Sequence, residues 1–418
     1  MRREKCRIVF ATLSLLACVT GCTQKTEVNS SGGYYASAVS MESTPIVDYV
    51  VPIQTPNILV DFLGYQADGI KRAAVKGTEL PEHFRLVDAT SKEVVFEGDI
   101  EAAKEQTDSA ALVGYAEFSD WTKEGEYYLE CDRLGRSYTF PIVDTLYLQM
   151  FSDLVNEITN RCASQTAEMD EVTDLLTAYE WYPELFEDED ADEVPDVLSI
   201  LADWTKNLEI DETESGVGVR QATVLVKFSY LYQKFDRKYA TACLQRATAI
   251  YKQSQQTIHK DAESFFALTE LYRATGQYTY RSQIEEYRTF FENNSSFLEE
   301  KEYLYGAMTY MVTRQKVNVD LCNIFMKQIK DRGEEVSGRY QGMIHPVSAR
   351  NNGIDDILKR AREILFANYV LPSYQYNNIL MECMHYLGGQ NQEAVSFYDS
   401  EDNTGCLLAL AQLASIPK

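Results

Sequence analysis

The sequence predicts two folded parts, an antiparallel β-sandwich followed by an all-helical toroid. Between positions 57 and 143, short apolar runs alternate with turn residues, which is typical of a sandwich built from short strands. From Leu146 onward, apolar residues recur every three or four positions, as they do on one face of a helix. The chain has 418 residues, which is enough for two domains with separate cores.

The first 22 residues have the pattern of an export signal. Four basic residues within the first seven precede the apolar run Ile8–Val19, which is too short to cross a bilayer. The string Val19-Thr20-Gly21-Cys22 resembles a bacterial lipobox, in which the cysteine is acylated. We therefore expect a lipoprotein signal peptide over 1–22, a lipid anchor on Cys22 and a mature protein on the extracytoplasmic face of the cell membrane. The alternative is an ordinary signal peptide with an incidental cysteine.

The residues that follow have a different composition. Positions 23–55 are rich in Ser, Thr, Gly and Val and show no sustained apolar period. The string Asn29-Ser30-Ser31-Gly32-Gly33 is typical of a flexible linker. We expect this segment to be a tether that holds the folded part away from the membrane.

Seven apolar runs lie between residues 56 and 144, and each has the length of one strand. Seven short strands in a stretch of this size predict a sandwich of immunoglobulin type. The small and polar residues between Val87 and Val94 predict a hairpin turn. The runs are 58–62, 72–75, 84–87, 94–96, 114–118, 125–129 and 137–142.

Twelve helices are predicted between residues 145 and 418. In the fourth, for example, Val224, Phe228 and Leu231 share one face. Twelve helices in antiparallel pairs favour a closed toroid of six hairpins, an (α/α)6 barrel, whereas a solenoid would require a fixed repeat that the sequence lacks. The segments are 146–160, 172–182, 194–207, 219–234, 239–256, 262–275, 278–293, 303–312, 318–330, 354–367, 373–387 and 404–414.

Charge limits the partners of the folded part. The formal net charge is −25, which repels nucleic acid and anionic lipid, so both are excluded as ligands. Neutral ligands such as sugars remain possible. The chain contains no C-x-x-C pair and no H-E-x-x-H string, so we expect neither a redox motif nor a histidine-built metal site. The six widely spaced cysteines that follow the tether are expected to be buried, and a disulfide among them is left open.

Two further sets of residues could bind ligands. The acidic run 187–193 offers oxygen donors suited to calcium, but it lacks the spacing of a known loop and is expected to be a solvated linker. The tryptophans Trp121, Trp181 and Trp204 could stack on sugar rings, but Trp181 and Trp204 lie in predicted helices with apolar neighbours and are expected to belong to the core. A polar aromatic surface is expected instead from Tyr303, Tyr305, Tyr310, Tyr369, Tyr374 and Tyr376.

An ordered series of short strings resembles glycoside hydrolase family 9, cellulases with an N-terminal cellulase-type immunoglobulin-like domain. Asp61-Phe62-Leu63-Gly64-Tyr65 resembles the family's N-Q-V-G-Y. Leu175-Leu176-x-Ala178-Tyr179-Glu180 resembles a helix beside its cleft, and Tyr386-Leu387-Gly388-Gly389-Gln390-Asn391 resembles its late Y-L-L-G-x-N. The resemblance implies domains at 56–144 and 145–418 and an inverting reaction that uses two separated carboxyl groups.

The segments that carry the family's two catalytic acids do not match. Only Ala163–Glu171 separates Arg161-Cys162 from the next helix, and no Asp-Ala-Gly-Asp string occurs. Asp170 and Glu171 are therefore expected to be helix-start carboxylates. Near the last helix, Glu393 and Glu401 are not preceded by Asn, as the family's acid is, and are expected on a solvated loop.

We therefore expect an extracytoplasmic lipoprotein with a shortened, catalytically degenerate barrel and assign it no catalytic residue and no cofactor beyond a possible structural calcium. It would bind a polysaccharide of the β-glucan class or a cell-surface protein. One alternative is an active, inverting β-glucan hydrolase that uses other acidic residues. The other alternative is a protein-docking module of a surface complex.

Overall fold

The computed structural model of the protein describes residues 56–103, 112–209, 217–254, 261–294, 298–340, 354–398 and 405–416. The predicted signal peptide, the tether, Cys22 and Glu401 lie outside these ranges. Within them, nine strands lie between Ile58 and Val143, and thirteen helices follow between Leu146 and Ala414.

The strands form a two-layered sandwich. One layer has the order β1-β3-β6-β5, and the other has β5-β4-β7-β9-β2 with β8 beside β7. Strand β5 joins the layers, because Val94–Asp99 pairs with β4 while Ile100–Ala102 pairs with β6. The strands are β1 Ile58–Leu59, β2 Tyr65–Gln66, β3 Arg72–Gly77, β4 His83–Asp88, β5 Val94–Ala102, β6 Leu112–Glu117, β7 Gly125–Cys131, β8 Gly135–Arg136 and β9 Phe140–Val143.

The core of the sandwich follows from side-chain alternation along its strands. In β7, Tyr127, Leu129 and Cys131 are buried, while the residues between them are more exposed. They pack with buried residues of the opposite layer, including Ala73 and Val75. Each of the seven predicted runs contains or overlaps a strand, and the two missed strands, β2 and β8, have only two residues each.

The predicted hairpin connects β4 and β5. Oδ1 of Asp88 accepts hydrogen bonds from the backbone N–H groups of Thr90 (2.8 Å) and Ser91 (2.7 Å). Lys92 then adopts a φ of 62°, which reverses the chain. The aspartate at the start of the turn therefore satisfies the backbone groups that the turn leaves free.

The helices form a closed double ring. The inner ring contains α2, α4, α6, α9, α11 and α13, each packed against the next, with Tyr305 of α9 contacting Phe366 of α11 at a ring distance of 5.2 Å. The outer ring contains α1, α3, α5, α7 with α8, α10 and α12. The helices are α1 Leu146–Ala163, α2 Met169–Trp181, α3 Asp196–Asn207, α4 Val217–Tyr232, α5 Arg237–Ser254, α6 Ala262–Thr275, α7 Tyr278–Glu285, α8 Arg288–Asn293, α9 Lys301–Val312, α10 Val319–Tyr340, α11 Ile354–Val370, α12 Tyr374–Leu387 and α13 Leu407–Ala414.

This architecture confirms the predicted (α/α)6 toroid, with two local differences. The predicted helix 278–293 is divided into α7 and α8. The backbone N–H groups of Glu286 and Tyr287 donate to carbonyls three residues earlier, as in a 3-10 turn, which interrupts the α-helix. Helix α10 continues ten residues beyond its predicted end at Lys330. Gly333 of α10 lies so close to α11 that an added Cβ would be 2.4 Å from the Cβ of Ala367. The absence of a side chain at this glycine therefore allows the two helices to pack closely.

The sandwich contacts the helical part through two of the strings that carry the family resemblance. The backbone N–H of Phe62 donates to the carbonyl of Gly388 over 3.2 Å. Gly389 has a φ of +129°, and an added Cβ there would lie 2.0 Å from the ring of Phe62. The glycines after α12 therefore allow the Asp61–Tyr65 segment to approach the helix end closely.

The six cysteines from Cys131 to Cys406 are free thiols, so the disulfide left open by the sequence does not form among them. Burial raises the pKa of Cys131, Cys162 and Cys406 to about 12. These thiols are therefore protonated at neutral pH and are poor nucleophiles and metal ligands. None of the helices in the described part of the chain combines the length and the apolar character needed to span a membrane.

Candidate functional site

The N-terminal turns of four inner helices meet at one end of the barrel, which we call the mouth. It is lined by polar residues of α2, α4, α6 and α9, and it encloses a cavity of about 20 Å³. Since a buried water needs about 10–15 Å³ of such space, the cavity has room for about one water molecule. The polar residues that line it are Asp170, Thr173, Arg220, Thr223, Glu263, Lys301, Glu302 and Tyr305.

A buried carboxylate below the mouth is held by two donors. Asp174 of α2 accepts a hydrogen bond from the Tyr305 hydroxyl over 2.6 Å, and its Oδ2 lies 3.1 Å from Nζ of Lys301. The same ammonium group lies 3.6 Å from Oδ2 of Asp170. Burial, followed by the charge of Asp174, raises the pKa of Tyr305 well above its ordinary value, so its hydroxyl stays protonated and donates. Asp174 is thereby engaged on both oxygens.

Glu263 is a mouth carboxylate whose pKa is raised. Burial raises its pKa, the nearby Arg220 opposes this effect, and the carboxylates of Glu302, Asp261 and Asp170 add to it. Nε of Arg220 lies 3.4 Å from Oε1 of Glu263. A raised pKa favours the protonated form of a carboxyl group, which is the form that a general acid requires. No local sequence pattern identifies Glu263, because its neighbours at the mouth come from other helices.

A second set of polar residues fills the barrel further along its axis, and we call it the axial cluster. Nζ of Lys227 lies 2.5 Å from Oε2 of Glu180 and 3.5 Å from Oε1 of Glu270. Arg273 pairs with the other oxygen of Glu180, and Thr309 donates to Oε1 of Glu270 over 2.9 Å. Burial opposes ionisation of Glu180, but the two cations outweigh it and lower its pKa.

The axial cluster leaves very little space inside the ring. The cavity beside Glu180, Lys227, Arg273 and Thr309 has a volume of about 10 Å³. Sites for organic ligands usually have about 300–1,000 Å³. Neither this cavity nor the mouth cavity accommodates a sugar ring among the described residues.

The two carboxylates at the start of α2 have separate structural partners. Oε2 of Glu171 accepts from the backbone N–H of Glu168 over 3.0 Å and completes a capping box, while its other oxygen lies 2.9 Å from Arg161. Asp170 is half exposed and faces Lys301. These contacts agree with the interpretation of both residues as helix-start carboxylates.

Of the two late acidic candidates, Glu393 and Glu401, only Glu393 lies within the described residues. Glu393 is exposed, and its backbone N–H donates to Oδ1 of Asn391 over 3.2 Å in the turn that follows α12. The amide of Asn391 donates to the carbonyls of Tyr386 and Val395, so this asparagine shapes the turn. Glu401 lies outside the described residues, and its expected position on a loop stays a prediction.

The expected tyrosine surface is largely wrong. Four of its members are buried. Three of them lie on the inner helix α9, which is covered by its neighbours, and the fourth packs against Gly333 of α10. These four residues are Tyr303, Tyr305, Tyr310 and Tyr376. Tyr374 is exposed, and Tyr369 is partly exposed. The ring of Tyr369 stacks on Trp181 at 4.3 Å.

The two helical tryptophans pack against the core, as expected. Trp204 is 2% exposed and belongs to the core of the helical part. Trp181 is half buried and packs against that core. Trp121 is half buried against the sandwich core, with its ring 6.1 Å from that of Tyr127.

The acidic run forms an exposed loop in which Asp188, Asp190 and Asp196 converge, with ligand atoms within 4.8 Å of one another. Backbone N–H groups of Glu189, Asp192 and Glu193 donate to these carboxylates, which explains how like charges are held together. The donor type suits calcium. The solvated-linker interpretation also fits the exposure, and the calcium alternative stays a prediction. His83 in β4 and His385 in α12, the two histidines among the described residues, lie in different domains and share no site.

Comparison with known proteins adds the evolutionary context. The model of the cellulase N-terminal Ig-like domain matches residues 53–136. A search of curated proteins gives no significant match.

Three solved structures share the fold over 81% of this chain. A metagenome-derived glycoside hydrolase family 9 endoglucanase is 16% identical, with a TM-score of 0.69 over 84% of its length. A Bacteroides ovatus GH9 structure is 16% identical, with a TM-score of 0.65 over 85% of its length. AaCel9A in complex with cellobiose-like isofagomine is 15% identical, with a TM-score of 0.63 over 83% of its length.

Proposed function

We propose that this chain is an extracytoplasmic lipoprotein that binds carbohydrate without hydrolysing it. The carbohydrate-binding part of the proposal is supported by the combination of a cellulase-type Ig-like domain with a fold like that of family 9 glycoside hydrolases. The proposed ligand is a polysaccharide of the β-glucan class, since one protein with this fold is described in complex with a cellobiose-like compound. The lipid anchor is proposed on Cys22, on the strength of the lipobox-like string that ends the apolar run.

The observation that carries the proposed loss of hydrolysis is the filled barrel axis. An inverting glycosidase holds an acid and a base about 6.5–9.5 Å apart, with a sugar ring and a water molecule between them. Here the buried acids along the axis form ion pairs with lysine and arginine side chains of the same protein. The cavities beside them, of about 20 and 10 Å³, leave no space for a sugar ring among the described residues. Rate enhancement depends on holding the substrate in place, so isolated carboxylates do not restore it.

One observation favours the hydrolase alternative. Glu263 has a raised pKa at the mouth, and Asp170 is the half-exposed carboxylate of the same cavity. In that alternative Glu263 would be the general acid and Asp170 the base. Such a hydrolase would lose activity in Glu263→Gln while it kept its fold.

Affinity electrophoresis of the purified protein tests the binding proposal. We expect migration to be retarded in native gels that contain soluble β-1,4- or mixed-linkage β-glucan, with no change in gels that contain a polyanionic polysaccharide. A protein that captures surface proteins in pull-downs and ignores every polysaccharide would contradict this proposal and support the docking-module alternative.

A further inference from the structure

The barrel has a second end, opposite the mouth, where the C-terminal turns of the inner helices meet; we call it the base. The rings of Trp181 at the end of α2 and Tyr369 at the end of α11 stack there. Trp181 also borders one cavity with Arg273 at the end of α6 and Val312 at the end of α9. The guanidinium of Arg273 lies 4.7 Å from the ring of Tyr230 in the last turn of α4. Because each outer helix begins where the preceding inner helix ends, the base is built from the connections between them.

These connections follow a fixed order around the ring. Each inner helix packs against the next, so their ends occupy six successive positions at the base. The positions are α2–α3, α4–α5, α6–α7, α9–α10 and α11–α12, followed by the end of α13 beside the start of α1.

Two neighbouring positions expose apolar side chains at the base. Val312 and Val319 flank the α9–α10 connection, and Val319 is 65% exposed. Tyr369, Leu371 and Tyr374 lie around the α11–α12 connection, where Leu371 is 50% and Tyr374 is 73% exposed. Single exposed apolar side chains are normal on a soluble protein, but a group of them on adjacent connections is typical of an interaction surface.

The other side of the base carries two blocks of opposite charge. The α2–α3 connection is acidic, and its exposed glutamates include Glu184, Glu187 and Glu189. The α4–α5 connection is basic, and its exposed cations are Lys234, Arg237 and Lys238. The one acid between these cations, Asp236, accepts from the backbone N–H of Tyr239 at the start of α5. Within the described part of the chain, none of the three glutamates and none of the three cations forms an ion pair.

The order of the connections makes the base complementary to itself. A twofold axis that lies in the plane of the base, between α2–α3 and α4–α5, places the acidic connection of one copy on the basic connection of another. Because the connections occupy six successive positions, the same axis leaves the ring between α9–α10 and α11–α12. It therefore also places one apolar connection of each copy on the other apolar connection of its partner. One symmetry operation thus pairs both the charges and the apolar side chains.

We propose that the base binds the base of a second copy of this chain and forms a twofold-symmetric dimer whose two mouths face away from each other. Such closed pairs are the commonest soluble oligomers. A partner of uniform charge would attract one charged connection and be repelled by the other, whereas a second copy supplies both signs in the required order. The net charge of −25 opposes contact between other parts of the surface. This inference does not depend on the proposed carbohydrate ligand.

Sedimentation velocity of the purified protein tests the dimer. The chain is produced from residue 22 onward with Cys22→Ala, so that no attached lipid drives association. We expect the average mass to rise from that of one chain towards that of two as the protein concentration increases. Leu371→Glu places a charge in the apolar contact and should weaken the dimer about tenfold or more. The matched control is Val94→Glu, because Val94 is 48% exposed but lies on β5 of the sandwich.

Charge reversal tests the pairing itself. One variant has two acidic connections and the other has two basic ones, so each variant meets like charge in a symmetric dimer and should remain monomeric where the parent dimerises. An equimolar mixture of the two should dimerise again, because each copy then meets unlike charge at both connections. The first variant combines Lys234→Glu, Arg237→Glu and Lys238→Glu, and the second combines Glu184→Lys, Glu187→Lys and Glu189→Lys.

Three results would overturn the proposal. The first is a parent protein that stays monomeric at every concentration. The second is a dimer that Leu371→Glu weakens no more than Val94→Glu does, which would place the contact on another face. The third is a mixture of the two charge variants that fails to associate, since all six reversed side chains are exposed and their replacement leaves the cores intact.

Discussion

Asp61 of the sandwich and His385 of helix α12 form a buried pair, with Nδ1 of His385 2.9 Å from Oδ2 of Asp61. Nε2 of His385 lies 3.1 Å from the carbonyl oxygen of Ile70, which can only accept, so Nε2 carries a hydrogen. The hydrogen bond between Nδ1 of His385 and Oδ2 of Asp61 therefore requires a second proton, which lies between these two atoms. Burial raises the pKa of Asp61, although its contact with His385 opposes this effect. The pair is a specific link between the two domains.

Removing this link should destabilise the whole protein. We expect His385→Ala to lower the free energy of unfolding by about 3–5 kcal/mol, because it leaves a buried carboxyl group without its partner. Urea denaturation at pH 7 measures the change. The matched control is His83→Ala, whose pair with Asp99 is 2.6 Å long but 70% and 82% exposed, so its loss should cost less than about 1 kcal/mol. Equal effects of the two substitutions would mean that the junction contributes no more than a surface contact.

The second prediction concerns the packing of the outer ring. Trp204 of α3 is buried in the helical core, so Trp204→Ala should cost about 3–5 kcal/mol through lost burial and the cavity it leaves. Tyr278→Ala on the exposed side of α7 should change stability by less than about 0.5 kcal/mol. Denaturant unfolding that shows no difference between the two variants would contradict the packing described for α3.

The axial cluster should give the protein a specific acid sensitivity. The folded-state pKa of Glu180 is lowered from 4.5, so its ionised form stabilises the fold above about pH 4.5, and this contribution is lost as the pH falls through the folded value. We expect Glu180→Gln to be less stable than the parent by about 3–5 kcal/mol at pH 7, because Lys227 and Arg273 lose their partner. The difference should shrink at pH 3.5.

Urea unfolding at pH 7, 5 and 3.5 measures this difference. Glu393→Gln is the control, because its side chain is exposed and its substitution should leave the curve of the parent unchanged. If the difference in the free energy of unfolding between Glu180→Gln and the parent stays constant or increases as the pH falls, Glu180 is not ionised in the folded protein.

Much of the fold could be predicted from local signals. Helix α6 has the predicted bounds, because Asp261 accepts from the N–H of Ser264 at its start and Gly276, with a φ of +67°, ends it. The burial of Tyr305 could not be predicted in this way, because tyrosine suits both surfaces and cores, and only the closed ring shows that α9 is an inner helix.

The candidate sites depend on contacts between residues that are far apart in the sequence. Asp174 and Tyr305 form a hydrogen bond although 131 positions separate them in the sequence, and Asp61 and His385 do so over 324 positions. Neither partner has a neighbouring residue pattern that identifies the other.

The proposed lipid anchor predicts a change of location. We expect Cys22→Ala to move the protein from the membrane fraction to the soluble fraction once its signal is cleaved, because acylation requires the thiol. Fractionation followed by immunoblotting measures the distribution, and the size of the band reports whether the signal has been removed. A cleaved mutant that stays in the membrane fraction would contradict the anchor on Cys22.

The most direct test of the account is an assay for new reducing ends after long incubation with soluble β-1,4- and mixed-linkage glucans. The filled axis predicts that the purified protein releases no more reducing ends than the buffer alone, and that Glu263→Gln and Glu393→Gln behave like the parent. Release of reducing ends by the parent, abolished in Glu263→Gln or Glu393→Gln without loss of fold, would contradict the proposed loss of hydrolysis.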